Sequence, residues 1–393
     1  MMKQLRLFAL LLLVLCLAFT LVACGDGDTA DKLLYEVNED GETCTVTGLG
    51  DCTDTDLEIP AEIDGYTVVA IGSVAFSRCT GLTGITIPDS VTSIGFRAFY
   101  GCTGLESITI PDSVTSISHY AFFGCTGLTS VTIGSGVTSI DSYAFWGCTS
   151  LASITIPSSV TSIGPSAFSG CTSLASVTFE DSSEWTHIGS SAFWGCYKLV
   201  EVYDLSERLT IKAGSEDNGC VGYYAKVVYT SVAEESRVHT TKDGYMFYED
   251  GNEVYLVGYV GMDTVLTLPD KYNGKTYGIN QFAFCNCTSL ASITIPESVT
   301  SIGSYAFEGC KSLANVTFEG DSRLTSIGSS AFFSCKGLTS ITIPDSVRSI
   351  GWSAFDWCTS LTYIYCRAAS QPSGWDSDWK GYCNAQVVWG YTE

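Results

Sequence analysis

Eighteen cysteines and three histidines are the residues of this 393-residue chain best able to do chemistry. A structural metal site needs Cys and His ligands that converge on one point, usually from short, mixed spacings. Ten of the cysteines recur at long intervals instead. Cys79, Cys102, Cys125, Cys148 and Cys171 are 23 residues apart, and Cys196 follows after 25. Cys287, Cys310, Cys335 and Cys358 resume the series with spacings of 23, 25 and 23. Such a period makes a column with one thiol per repeat, and no cluster. A buried thiol behaves as a small apolar group with a weak donor, so these ten are expected to be free and to fill a turn. Cys285 and Cys287 stand in a C-x-C, too tight for the usual zinc pair. Outside the column, Cys44 with Cys52 and Cys366 with Cys383 are the candidates for disulfides, in a compartment that permits them.

The other chemistries find less. His119, His187 and His239 fall in different repeats or in a polar segment, so no Ser-His-Asp grouping has support from spacing. Asp51, Asp54 and Asp56 could offer oxygens to calcium, but the ordered loop with its closing Glu is missing. No catalytic residue, metal or cofactor is expected. The net charge of −23 argues against nucleic acid as a partner, because phosphate contacts need Lys and Arg. An apolar fraction of 46% with 16% charged residues excludes a disordered chain.

Residues 1–23 read as an address. Lys3 and Arg6 precede an apolar run from Leu7 to Leu21 that is short for a membrane-spanning helix. Leu21-Val22-Ala23-Cys24 resembles the signal of bacterial lipoproteins. In such a signal, Cys24 would become the acylated first residue of the mature chain. Residues 24–33 would then be a tether, and the body an extracytoplasmic one, lipid-anchored at the cell surface.

The body is a repeat. Leu105-Glu-Ser-Ile-Thr-Ile-Pro-Asp-Ser-Val-Thr-Ser-Ile117 leads to Ala121-Phe122 and Cys125, and Leu290 to Ile302 leads to Ala306-Phe307 and Cys310 in nearly the same words. Ile108-Thr109-Ile110 alternates and is β-branched, which predicts a short half-buried strand. Pro111 lacks the N–H that a ladder needs and ends it. Val114 and Ile117 are the next inward points, on a second extended piece. Ala121-Phe122 packs across the coil and Cys125 closes the turn. One repeat cannot bury its own apolar edge, so repeats must stack.

This phrase, L-x-x-I-x-I-P-x-x-V-x-x-I-G-x-x-A-F-x-x-C, resembles the leucine-rich repeat superfamily in its BspA-like, 23-residue bacterial surface form. The resemblance implies a β-rich solenoid, a right-handed coil stack. It also implies adhesion or binding to host, matrix or neighbouring-cell proteins.

The period breaks near residues 199–265, and the break has a counterpart at the start. Asp250-Gly251 lies in a hairpin-like stretch before Leu266-Thr-Leu-Pro269, as Asp40-Gly41 does before Leu57-Glu-Ile-Pro60. Leu199–Tyr203 runs to Val227-Val228-Tyr229, and Leu361–Tyr365 to Val387-Val388-Trp389. The chain therefore reads as two capped cassettes, 34–230 and 245–393, with a polar joint at 231–244.

Two exposed features could bind a ligand. The outward strand positions, Ser107 and Thr109 and their equivalents, form a Ser/Thr sheet of the kind a pleated surface favours anyway. The residue after Ala-Phe is Tyr100, Phe123, Trp146, Trp194 or Phe333, and the one before it is Tyr120, Tyr143 or Tyr305. A row of aromatics along one edge suits a protein or glycan contact, with packing between coils as the plainer role. The expected function is a non-catalytic, surface-displayed scaffold for a protein or glycan ligand. The alternative is a structural envelope lipoprotein with no soluble ligand.

Overall fold

A computed structural model describes residues 33–50, 54–206, 208–231 and 234–392. The leader, Cys24, Cys52 and all of the tether except Leu33 lie outside the described residues. The chain divides at residues 232–233 into two compact units.

Each unit is a β-solenoid whose coil carries two short strands. In the first, Ser107–Ile110 alternates exposed and buried side chains as its sequence predicts, with Ile108 and Ile110 inside. It pairs in register with Ser130–Ile133 of the next coil, parallel. Ser153–Ile156, Ser176–Phe179, Glu201–Asp204 and Val227–Tyr229 extend the same arrangement. Pro111 ends its strand, and its carbonyl accepts the Val114 N–H at 3.1 Å, turning the chain. The second extended piece is Ser116–Ile117, stacked between Ser93–Ile94 and Ser139–Ile140. Parallel strands joined by so short a path are possible because the connection runs around the coil.

Both ends of each stack are closed by backbone pairing. Leu34–Val37 and Thr43–Gly48 form an antiparallel hairpin, and Thr43–Gly48 then pairs parallel with Tyr66–Ile71 to start the ladder. In the second unit Tyr245–Asp250 and Glu253–Tyr259 do the same, and Glu253–Tyr259 pairs with Tyr277–Ile279. Part of the polar segment 231–244 is structured too: Val238–Thr240 adds an antiparallel strand to Tyr245–Asp250. Lys275 Nζ reaches Glu249 Oε1 at 2.6 Å and the Gly251 carbonyl at 2.6 Å, tying the long turn 270–276 to this hairpin. The far ends close with Val227–Tyr229 and Gln386–Trp389, each parallel to the strand before it.

Leu, Ile, Val, Phe and Cys of successive coils form continuous buried columns. The phenylalanines of the first unit stack face to face from Phe76 to Phe193, with ring centroids 5.0–5.3 Å apart. Phe284, Phe307, Phe332 and Phe355 repeat this in the second, where Trp379 ends the column edge-on at 5.8 Å. Each interior ring thus buries both faces against its own kind.

Candidate interaction face

The variable aromatics sit on the wide turn that carries Ala-Phe-x-x-Cys, so the geometry of that turn decides how they are presented. Its backbone N–H groups alternate between two kinds of partner. Ala98, Tyr100 and Cys102 bond back to Gly95, Arg97 and Phe99 of their own coil. Arg97, Phe99 and Gly101 bond to His119, Ala121 and Phe123 of the next. This alternation requires two left-handed residues four apart. Arg97 has φ 55° and Gly101 φ 69°, and the next coils repeat the pair at Tyr120 (60°) with Gly124 and at Tyr143 (59°) with Gly147. Tyrosine adopts this conformation only against a steric penalty, so neighbouring contacts must hold it there.

The column cysteines supply part of that hold. Cys102, Cys125, Cys148, Cys171 and Cys196 each donate S–H to the Phe carbonyl of the preceding coil, from Phe76 to Phe168, at 2.9–3.3 Å. Cys310, Cys335 and Cys358 do the same to Phe284, Phe307 and Phe332 at 3.0–3.1 Å. Each of these carbonyls already accepts the Cys N–H of its own coil, so the thiol adds a second bond. Burial holds Cys148, Cys196 and Cys310 well above the usual thiol range. In Cys125 and Cys335 the contact with a neighbouring thiol, Cys102 or Cys358, raises it most, with burial second. Burial also pushes the half-exposed Cys79 up to about 11.

Cys366 and Cys383 are not joined: both are free, buried thiols. They belong to different walls of the coil. Cys366 faces inward from the strand Tyr363–Cys366, whereas Cys383 lies beside Cys358 in the thiol column. Cys44 is free as well and buried in the strand Thr43–Gly48, with Sγ 3.7 Å from the Tyr66 carbonyl; its proposed partner Cys52 is outside the described residues. Among the described residues no group of three or more His, Cys, Asp or Glu could hold a metal ion, and no helix is long and apolar enough to cross a membrane. His119 and His187 stand in separate coils; the His119 ring lies 3.1 Å from the Asp141 carboxylate of the coil above.

Five of the aromatics singled out from sequence come together in the first unit. Tyr100, Phe123 and Trp146 stack at 4.9 and 4.4 Å, within 10° of parallel. Tyr120 stacks on Tyr143 at 4.9 Å and touches Phe123 at 5.6 Å, which joins the two columns into one ridge. Two residues missed in the sequence complete it: Phe96, edge-on to Tyr120 at 5.9 Å, and Arg97, whose guanidinium lies 4.9–5.2 Å from the rings of Phe96, Tyr100 and Tyr120. Trp194 stands two coils beyond Trp146 and rests on Tyr223 at 5.9 Å. In the second unit Tyr305 stacks on the buried Phe282 at 5.1 Å, and Phe333 is half-buried. The exposed rings there include Trp352, Trp357, Tyr363 and Tyr382. Trp357 occupies the left-handed place where most coils have Gly, at φ 57°. An aromatic in the glycine slot was the signal that could have found it. The Ser/Thr positions of the strand face, Ser107 and Thr109 among them, point outward as expected.

The BspA type leucine rich repeat region matches residues 67–203 and 275–372 in six copies. Among solved structures, the chain is similar to a leucine-rich repeat protein from Bacteroides ovatus, at 28% identity over 88% of each chain, with a TM-score of 0.42. It is similar also to a leucine rich cell surface protein from Faecalibacterium prausnitzii, at 27% identity over 94% of this chain and 99% of that one, with a TM-score of 0.39. No curated protein matches it.

Proposed function

Because the chain belongs to the BspA-type leucine-rich repeat family, we propose that it is a non-catalytic binding scaffold displayed at a bacterial cell surface. In this reading Cys24 carries the lipid that anchors it, and the aromatic ridge of the first unit holds a protein on a host, matrix or neighbouring cell. The observation that carries the proposal is the ridge itself. Phe96, Tyr100, Tyr120, Phe123, Tyr143 and Trp146 leave the core and gather on one edge, with Phe96 and Trp146 exposed by 42% and 38%. Clustered aromatics beside an arginine are the usual anchors of protein interfaces.

The stacking also favours a protein over a glycan. A sugar ring packs on an open aromatic face. Within the ridge Phe123 has both faces covered, and Tyr100, Tyr120, Tyr143 and Trp146 one each, by neighbouring rings 2–10° from parallel, which leaves few faces open. Ring edges suit apolar side chains and carbonyl groups of a protein.

The test is binding of the purified protein to arrays of host proteins, matrix proteins and glycans. Saturable binding to a protein, weakened by Trp146→Ala, is expected. Absence of any bound protein, or binding indifferent to the ridge, would remove the support for this reading.

A further inference from the structure

The last coil of the second unit parts from the pattern of the others at one point. In most coils the residue before the column cysteine donates its N–H to a carbonyl of the next coil: Gly101 to Phe123, Gly309 to Phe333 and Ser334 to Asp356, at 2.7–2.8 Å. Trp357 stands in that place in the coil ending at Cys358, and its N–H goes to the Asp356 carboxylate at 2.9 Å instead. The same carboxylate oxygen accepts the N–H of Tyr382, from the closing turn, at 3.0 Å. Asp356 is itself buried, so one carboxylate spans two turns that a backbone rung would otherwise draw together. Between them lies a cavity of about 280 Å³, lined by Trp357, Cys358, Thr359, Tyr382, Cys383 and Asn384.

The two aromatic residues of the lining reach solvent. Tyr382 is exposed by 88% and Trp357 by 57%. Among the described residues no ring stacks on either, in contrast to the ridge of the first unit. Trp357 holds φ 57° in a place where most coils have Gly. A tryptophan keeps this conformation only against a steric penalty, and residues so held gather at ligand clamps. Cys358 and Cys383 are buried thiols and offer apolar surface. The Thr359 hydroxyl and the Asn384 side-chain amide are exposed and bond no other group among the described residues, so each offers a donor and an acceptor. No charged side chain lines the cavity.

We infer that this cavity is a binding site for one neutral pyranose unit. It lies in the second unit and is independent of the aromatic ridge of the first. Its volume stands just below the range of about 300–1,000 Å³ usual for small-molecule pockets, which suits a single ring. A pyranose has apolar C–H faces, which pack on an open indole or phenol, and a rim of hydroxyls, each a donor and an acceptor. Trp357 and Tyr382 match the faces, and Asn384 and Thr359 match the rim. A sugar acid or sugar phosphate would find no cation in the lining. An apolar side chain of a protein would fill the same volume but leave the Asn384 amide and the Thr359 hydroxyl unpaired once water is shut out, a cost that a sugar avoids.

The test uses full-length protein in a sugar-free detergent. The probes are the methyl pyranosides of glucose, galactose, mannose and N-acetylglucosamine, with N-acetyl-leucinamide as the apolar side-chain probe, all read by saturation-transfer NMR. Saturable transfer to at least one sugar is expected. Trp357→Gly restores the residue that most coils carry in that place, so it removes the indole without threatening the fold, and it should weaken sugar binding by about tenfold. Asn384→Ala should weaken it as well, because that amide bonds nothing within the protein. Trp352→Ala, at an exposed ring outside the cavity, should leave it unchanged. A disaccharide of the preferred sugar that binds equally well assigns the unit to a glycan, and one that is shut out assigns it to a free sugar. No saturable transfer to any sugar, transfer indifferent to Trp357→Gly, or preference for N-acetyl-leucinamide over every sugar would overturn the inference.

Discussion

Replacing Cys148 with alanine removes one thiol from the middle of the first ladder, and its effect can be worked out from its surroundings. Cys148 is fully buried and donates to the Phe122 carbonyl at 3.2 Å. Losing a group about the size of one methylene from the interior costs about 0.8 kcal/mol in transfer. A residual cavity of roughly 25 Å³ adds about 0.6 kcal/mol, and the weak S–H bond about 0.5. The Phe122 carbonyl keeps the Cys125 N–H at 3.2 Å, so no bare acceptor is left behind to enlarge the effect. Cys148→Ala should therefore destabilise the first unit by about 2 kcal/mol, a fall in Tm of about 4–8 °C. Cys148→Ser keeps a donor at the same carbonyl and should lose only about 1 kcal/mol. Urea denaturation under reducing conditions, followed by far-UV circular dichroism, measures both. A loss below about 0.5 kcal/mol for alanine would mean that the thiol contributes nothing of the kind argued. A serine variant less stable than the alanine one would mean that the carbonyl is not available as an acceptor.

Three further outcomes are expected. Phe145→Ala opens the buried ring column between Phe122 and Phe168 and should cost about 3–5 kcal/mol by the same assay. Burial raises Cys44 and Cys79 to about 11 and Cys366 to about 12 in the folded chain. The unfolded chain therefore loses these protons first, stability is full below pH ~9, and the urea midpoint should fall as pH rises from there through 11–12. A midpoint flat over pH 9–11 would contradict those environments. Cys24→Ala should leave the precursor uncleaved at that position and unlipidated, as mass spectrometry of the membrane fraction would show; normal cleavage would defeat the lipoprotein reading.

Much of the fold was legible because a repeat states the same physical requirement many times. Ile108, Thr109 and Ile110 announce a strand by alternation, Pro111 its end, and the 23-residue interval its stacking. The interval does not say how one column of side chains faces the next. The second bond to each Phe carbonyl depends on which way the thiol points, which no spacing reveals. The left-handed pair was hidden for a different reason. At one of its positions the residue is Arg97, Tyr120, Tyr143 or Ser166, and none of these marks a positive φ as glycine does. The aromatic edge was legible as a list of slots, but Phe96 escaped because it stands two places before Ala98 instead of one. Cys366 and Cys383 lie on different walls of the coil as free thiols, a placement that standing outside the repeat column does not reveal.

The thiol ladder has a direction. Each S–H points to the coil before it, so the arrangement is head-to-tail, beginning at the Phe76 and Phe284 carbonyls and ending with the thiols of Cys196 and Cys358. In such a series every interior coil offers the same donor to one neighbour and the same acceptor to the other. Deleting residues 126–148 would join Cys125 to Thr149 and bring the thiol of Cys171 to the Phe122 carbonyl, with one rung fewer and no new kind of contact. The reach of each cassette can therefore be reset in whole-coil steps of about 4.8 Å, and the hairpins and closing strands at its ends never meet a coil unlike those they already cover.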